Sequence, residues 1–152
     1  MLARVCQVAR ERALTPAVMT FEPHPREYFA TLNHRPELAP TRISGLRDKL
    51  AALARYGVSQ VVVERFNARL AEMSANAFIE NLLVGGLNAK WLLVGEDFRF
   101  GHKRSGDIDL LREAGLRHGF EVQTLADVTD RHGHRISSSE VRTALAVGDL
   151  DR

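Results

Sequence analysis

Three stretches of the chain carry side chains able to act on a ligand. The first is Ser-Ser-Ser-Glu over residues 137–140, followed by Arg142. Ser137 and Glu140 have the spacing of a capping box, in which the hydroxyl accepts from the Glu140 N–H and the carboxylate reaches back to the cap. Arg142 then falls near the positive end of the helix dipole, where a cation is unfavourable unless an anion lies close. Hydroxyls, free N–H groups and a guanidinium at one helix start suit a phosphate chain, so a cap and an anion site are expected together.

The second stretch is Phe-Glu-Pro-His-Pro over residues 21–25. Prolines on both sides of His24 hold the backbone extended and remove two N–H donors, which places the imidazole on a stiff segment just past a strand. Such a histidine is either a solvated bystander or a site residue. The third stretch, residues 95–107, follows the apolar run from Trp91 to Val94 and contains Gly95, Gly101 and Gly106 with Phe98 and Phe100 among them. A buried strand delivering a polar, Gly-hinged loop to a sheet edge is the arrangement by which open α/β sheets bind ligands. The two phenylalanines can pack beneath the loop or stack on a planar ligand. Arg99, Lys103 and Arg104 can meet phosphate or solvent. Neither Gly-x-x-x-x-Gly-Lys-Ser/Thr nor Gly-x-Gly-x-x-Gly occurs, which disfavours P-loop and dinucleotide fingerprints.

The elements that must position these stretches read as alternating helices and strands. Leu2, Val5, Cys6, Ala9 and Ala13 fall at helical spacing, and Pro16 stops that helix before a buried strand over 17–21. Residues 33–40 read as a loop. Thr41 is the expected cap of the next helix, with Ile43, Leu46, Leu50 and Leu53 as its apolar stripe and Gly57 as its stop. Arg47, Lys49 and Arg55 read as that helix's solvated face, Arg42 standing apart in its first turn. A β-branched strand over 58–63 follows, then a helical region over 68–84 buried through Phe78, Ile79, Leu82 and Leu83 and ended by Gly85 and Gly86. Asp107 is the expected cap of a helix over 108–118 ended by Gly119, with a strand over 120–125 after it.

Residues 127–135 read as a turn or small hairpin around Gly133. His132 and His134 near Asp127 and Asp130 offer no third strong ligand at a recognised spacing, so a solvated turn is expected there and no metal site is assigned. The fold expected from this order is α/β, Rossmann-like, a parallel sheet with crossover helices on both faces. A doubly wound domain opens with a strand. This chain opens with a helix, so the first strand of the sheet is expected to be missing.

Composition narrows the class. The 152 residues allow one domain with a core, and 45% hydrophobic with 26% charged residues is ordinary for a globular chain. A net charge of +2, from 21 Lys+Arg against 19 Asp+Glu, gives no reason to expect a nucleic-acid partner. The single Cys6 cannot form an internal disulfide, and its place on the apolar stripe marks it as a small buried hydrophobe. No apolar run reaches membrane-spanning length and no signal peptide opens the chain, so a cytoplasmic location without membrane partners is expected.

The pieces over 21–25, 95–107 and 136–142, together with Pro-Thr-Arg-Ile-Ser-Gly-Leu-Arg-Asp-Lys over 40–49, resemble in order the FMN adenylyltransferase module of bacterial bifunctional riboflavin kinase/FAD synthetases. The Phe-Glu-Pro-His-Pro and Asp-Phe-Arg-Phe-Gly pieces are fairly specific. The serine piece is shared more widely among nucleotidyltransferases, where Ser139 is usually Thr. The resemblance implies a nucleotidyltransferase fold and transfer of AMP from ATP to the FMN phosphate, giving FAD and pyrophosphate, with Mg2+ on the triphosphate. It further implies that Ser138, Ser139 and Arg142 hold ATP phosphates and that His24 lines the nucleotide side. Asp97 and Phe100 fall at the flavin site, with Arg104 a weaker phosphate candidate. The family's His-x-Gly-His motif does not occur in the sequence, so its catalytic residues have no counterpart here. Residues 1–152 are therefore expected to be a partial adenylyltransferase domain, in a family where a C-terminal riboflavin kinase domain is normally fused. Two other readings stand beside this one: a non-catalytic flavin- or nucleotide-binding remnant, and an adenylyltransferase for another phosphate acceptor.

Overall fold

A computed structural model of the chain describes residues 1–126 and 137–148. The first helix, α1 (Leu2–Glu11), buries Cys6, Val8 and Ala9. The spacing read from the sequence finds Cys6 and Ala9 but misses Val8, and Ala13, expected on the stripe, lies beyond the helix end and is exposed. Strand β1 (Ala17–Glu22) runs parallel to β2 (Gln60–Arg65), with Ala17 opposite Gln60 and Glu22 opposite Arg65. Between them lie α2 (Pro25–Leu32), a short 3-10 turn (Pro36–Leu38) and α3 (Leu46–Arg55). Two short helices, α4 (Ala68–Ala71) and α5 (Ala75–Phe78), follow β2, and the chain continues from α5 as a π-helical segment (Ile79–Gly86). Strand β3 (Trp91–Gly95) then pairs in parallel with β4 (Glu121–Leu125) across α6 (Ile108–His118), and α7 (Ser138–Val147) closes the described chain.

Three local expectations need correction. Helix α3 begins at Leu46 behind Gly45, not at a Thr41 cap, and Ile43 is half exposed ahead of it. Residues 41 and 42 stay out of the helix because their groups are engaged elsewhere: Thr41 O accepts from Arg142, and the Arg42 guanidinium pairs with Glu22 and Glu27. Helix α2 was not anticipated at all. The region over 68–84 is not one helix, for Asn67 and Ser74 each accept a backbone N–H as separate caps and so start two.

The sheet also differs from expectation. The four strands form two separate parallel pairs, β1 with β2 and β3 with β4, in place of one continuous sheet. Among the described residues no segment runs between β1 and β3, so each hydrogen-bond ladder stops there. An apolar cavity of about 610 Å³ lies between the two pairs, lined by Val18 and Met19 of β1, Leu92 and Val94 of β3, and Val5 and Val8 of α1.

Each pair has its own core. Cys6, Leu53 and Val58 gather α1, α3 and the start of β2, with Val18 and Val61 against them. Ile79, Leu83, Phe100, Leu111 and Phe120 form the other cluster, which Met19 and Phe21 of β1 also touch. Helix α1 and the residue that caps it link the halves, since Arg12 pairs with Glu121 at 2.8 Å and Arg4 of α1 reaches Gln123 at 3.4 Å on β4.

Candidate functional site

His24 owes its place to a capping box. Its Nδ1 accepts from the Arg26 N–H at 3.2 Å, and the Glu27 carboxylate accepts from the His24 N–H at 3.2 Å. The box starts α2, with Pro25 supplying a helical φ in the first position. His24 itself stays extended at φ −59° and ψ 138°, the conformation its flanking prolines predict.

The same glutamate does a second job. Its two oxygens accept from Arg42 Nε at 2.7 Å and Nη2 at 2.6 Å, and Arg42 Nη2 also donates to Glu22. This fork ties residues 40–44 to the end of β1 and the start of α2. The Arg42 guanidinium holds the Glu27 carboxyl below the usual carboxylate range, against a smaller opposing effect of burial.

Arg142 arrives from the far end of the chain. Ser137 accepts from the Glu140 N–H at 3.2 Å and Glu140 accepts from the Ser137 N–H at 3.0 Å, so the capping box read from the sequence starts α7. One turn on, Arg142 donates from Nε to Thr41 O at 2.7 Å and from Nη1 to Ser138 O at 3.0 Å. Both partners are neutral carbonyls.

Glu22, His24, Glu27, Arg42 and Arg142 line one cleft of about 200 Å³ with Phe21, Thr41, Ser44 and Lys49, and Ser138 and Ser139 are not in that lining. Lys49 is a residue the sequence reading assigned to solvent. In the fold it turns its half-buried side chain toward the cleft, with Nζ 3.5 Å from Thr20 Oγ1. The His24 imidazole titrates below its ordinary value. Partial burial is the largest cause, the Glu27 charge opposes it, and the Arg142, Arg26 and Lys49 cations add to it. His24 is therefore neutral near pH 7, able to donate from one ring nitrogen while the other holds the Arg26 N–H.

Ser138 and Ser139 sit exposed in the first turn of α7, each with its carbonyl engaged one turn ahead, by Arg142 and Thr143 respectively. The loop over 95–107 forms a closed lasso. Phe100 and Gly106 exchange backbone hydrogen bonds at 3.1 and 2.8 Å, and His102 N donates to Met73 O at 2.7 Å. Phe100, whose ring could pack or stack on a planar ligand, has its ring in the core at 6% exposure, stacked on Phe98 and tilted against Phe78. Asp97 and Arg104 are exposed on this loop, and none of Asp97, Phe100 and Arg104 lines the cleft that holds His24 and Arg142.

Residues 127–136, including His132, His134, Asp127 and Asp130, lie outside the described residues. Among those described, no cluster of three or more His, Cys, Asp or Glu residues suits a metal ion, and no helix is long and apolar enough to cross a membrane.

Comparison with known proteins gives this geometry a family. A family model described as FAD synthetase matches residues 1–140. The bifunctional riboflavin kinase/FMN adenylyltransferase of Escherichia coli K12 is 47% identical over 141 residues, covering 93% of this chain and 43% of that protein. The Pseudomonas fluorescens protein of the same name is 42% identical over 150 residues, covering 99% of this chain and 46% of its own length. The chain thus spans less than half the length of these curated relatives. Among solved structures, a Streptococcus pneumoniae protein described as a macrolide-efflux protein matches with a TM-score of 0.74 and 26% identity, over 98% of this chain and 48% of that one.

Proposed function

The chain belongs to the FAD synthetase family, and from that premise we propose that its cleft binds the phosphates of ATP for transfer of AMP to the phosphate of FMN, giving FAD and pyrophosphate. The observation that carries this reading is the meeting of His24 and Arg142, 118 positions apart by number, in one cleft that also holds Lys49. Two cations and a neutral imidazole around a small polar space suit a polyphosphate and leave an apolar ligand unfavoured.

In this reaction an oxygen of the FMN phosphate attacks the α-phosphorus and pyrophosphate leaves, so the protein acts by positioning and by stabilising charge. Arg142 spends two donors on carbonyls and keeps the rest of its five N–H groups for phosphate oxygens. The exposed hydroxyls of Ser138 and Ser139, in the first turn of α7, add neutral donors beside the dipole of that helix. His24 contributes a neutral donor on the nucleotide side. Asp97 and the backbone around Phe100 are assigned to the flavin, and Arg104 to its phosphate end. Mg2+ arrives with the triphosphate in this scheme, because the cleft's own carboxylates, Glu22 and Glu27, are both committed to Arg42.

The test uses the chain as it stands, with ATP, Mg2+ and FMN, reading FAD by chromatography and nucleotide affinity by calorimetry. Arg142→Ala is expected to weaken ATP binding while sparing FMN. Equal loss of both ligands, or of neither, would reduce residues 137–142 to a helix cap. Binding of both nucleotides without any FAD would assign the chain to binding alone.

A further inference from the structure

The cleft contains more positive charge than its assigned residues account for. Arg42 is paired with two carboxylates, Glu22 and Glu27, a trio of net charge −1, so that with Arg142 and Lys49 the cleft's charged side chains sum to +1. Arg142 and Lys49 have no such partner: among the described residues neither stands in an ion pair, and both line the same space of about 200 Å³. Lys49 carries three N–H donors, and the one contact given to them is a hydroxyl at 3.5 Å, at the far limit of a hydrogen bond.

The backbone brings Lys49 to the cleft. It is the fourth residue of α3, which follows Gly45, and its Nζ lies 3.5 Å from Thr20 Oγ1 of β1, two residues before the Glu22 that grips Arg42. Arg142, from α7, donates to Thr41 O at 2.7 Å. Two cations lining one small cleft repel each other, a repulsion only partly offset by the excess carboxylate of the Glu22–Arg42–Glu27 trio and further relieved when an anion sits between them.

Resting on the reading of the cleft as a nucleotide site, we infer that Lys49 is a phosphate-binding residue of this chain, sharing one phosphate group with Arg142 from across the cleft. Lys49 supplies a compact charge from α3, Arg142 a planar fork from α7. Arg42 does not take part. Its role is to hold residues 40–44 in place, and its charge is already spent on Glu22 and Glu27.

The rival explanation is that Lys49 only packs its stem and solvates its head. Lys49→Met keeps the stem and removes the charge, while Lys49→Arg keeps the charge. The probes are ATP and inorganic pyrophosphate, followed by calorimetry, with the His24 ring titrated by NMR as a second readout. In the unaltered chain pyrophosphate should raise the His24 pKa, because an anion offsets Arg142, Arg26 and Lys49, while Glu27 acts in the same sense throughout. Lys49→Met should weaken both probes about tenfold, the loss of one charge-assisted contact, start from a higher His24 pKa, and show a smaller rise on pyrophosphate addition. Lys49→Arg should stay within a few-fold of the original affinity. Unchanged affinity in Lys49→Met, with Arg142→Ala still damaging, would overturn the role of Lys49 and leave the proposed function standing. Unchanged affinity in both variants would remove the cleft as a nucleotide site altogether.

Discussion

Gly106 is the residue on which the closed form of the 95–107 loop most visibly depends. A Cβ added there would lie 2.6 Å from Phe100 Cζ, 2.7 Å from Phe100 Cε2 and 2.8 Å from Ala75 Cβ. Carbon atoms pack comfortably at about 3.5–4.0 Å, so the ring or the loop must move by about 1 Å. The ring has little room to move: it is 6% exposed, stacked on Phe98 at 5.5 Å and tilted against Phe78 at 5.3 Å. Overpacking of this kind costs about 1–3 kcal/mol. If the strain instead parts the Phe100–Gly106 bridge, two backbone hydrogen bonds are lost at about 1 kcal/mol each. Gly106→Ala is thus expected to destabilise by about 2–3 kcal/mol. Gly119→Ala is the matched control, since that glycine has φ +75° but nothing within 4 Å, so it carries only the left-handed cost of about 1 kcal/mol. Urea unfolding of both variants reads the difference directly, as a larger fall in midpoint for Gly106→Ala at constant slope. If Gly106→Ala proved no more costly than Gly119→Ala, the loop would not be the locked element described here.

Leu111 is fully buried, and Leu111→Ala is expected to cost about 2–5 kcal/mol in the same unfolding assay, far more than Leu116→Ala on the same helix, whose side chain is 90% exposed. Asp107→Ala removes the acceptor of the Leu110 N–H at 2.9 Å and should cost about 1 kcal/mol, with Asp107→Asn nearly neutral. Glu27→Gln should change the pH dependence of stability: the folded-state pKa of Glu27 is depressed, so its contribution is present above the ordinary value of 4.5 and lost as pH falls through the lowered value. The gap in urea midpoint between the variant and the original chain should therefore narrow from about pH 7 to about pH 3, and a constant gap would refute the role given to its charge.

What the sequence made legible was local. The Ser137–Glu140 box and the Asp107 cap need only residues three apart, and both occur as read. Helix α2 escaped because its cap is a histidine and not one of the usual Ser, Thr, Asp or Asn, although Pro25 at the first position and Glu27 at the third were signals in plain view. Thr41 was misread for a nonlocal reason: its carbonyl is claimed by Arg142, 101 positions away, which no window of sequence contains. The place of Lys49 beside the cleft is nonlocal in the same way, since a cation on the polar side of α3 meets Thr20 of β1 only once the chain folds. Phe100 had two readings, packing and stacking, and the fold gives its ring to the core.

The parts of the cleft fit together as a strap and two arms. Residues 40–44 form the strap, fastened at one end by the Arg42 side chain to Glu22 and Glu27 and at the other by Thr41 O to Arg142. The fastenings differ in kind. Arg42 meets two carboxylates in a charge-assisted fork, whereas Arg142 meets two neutral carbonyls, and hydrogen bonds with one charged partner are weaker than those with two. A phosphate entering the cleft competes poorly for Arg42 and well for Arg142. The charges are thus sorted by their partners: Arg42 is held by two carboxylates, while among the described residues Arg142 and Lys49 have none.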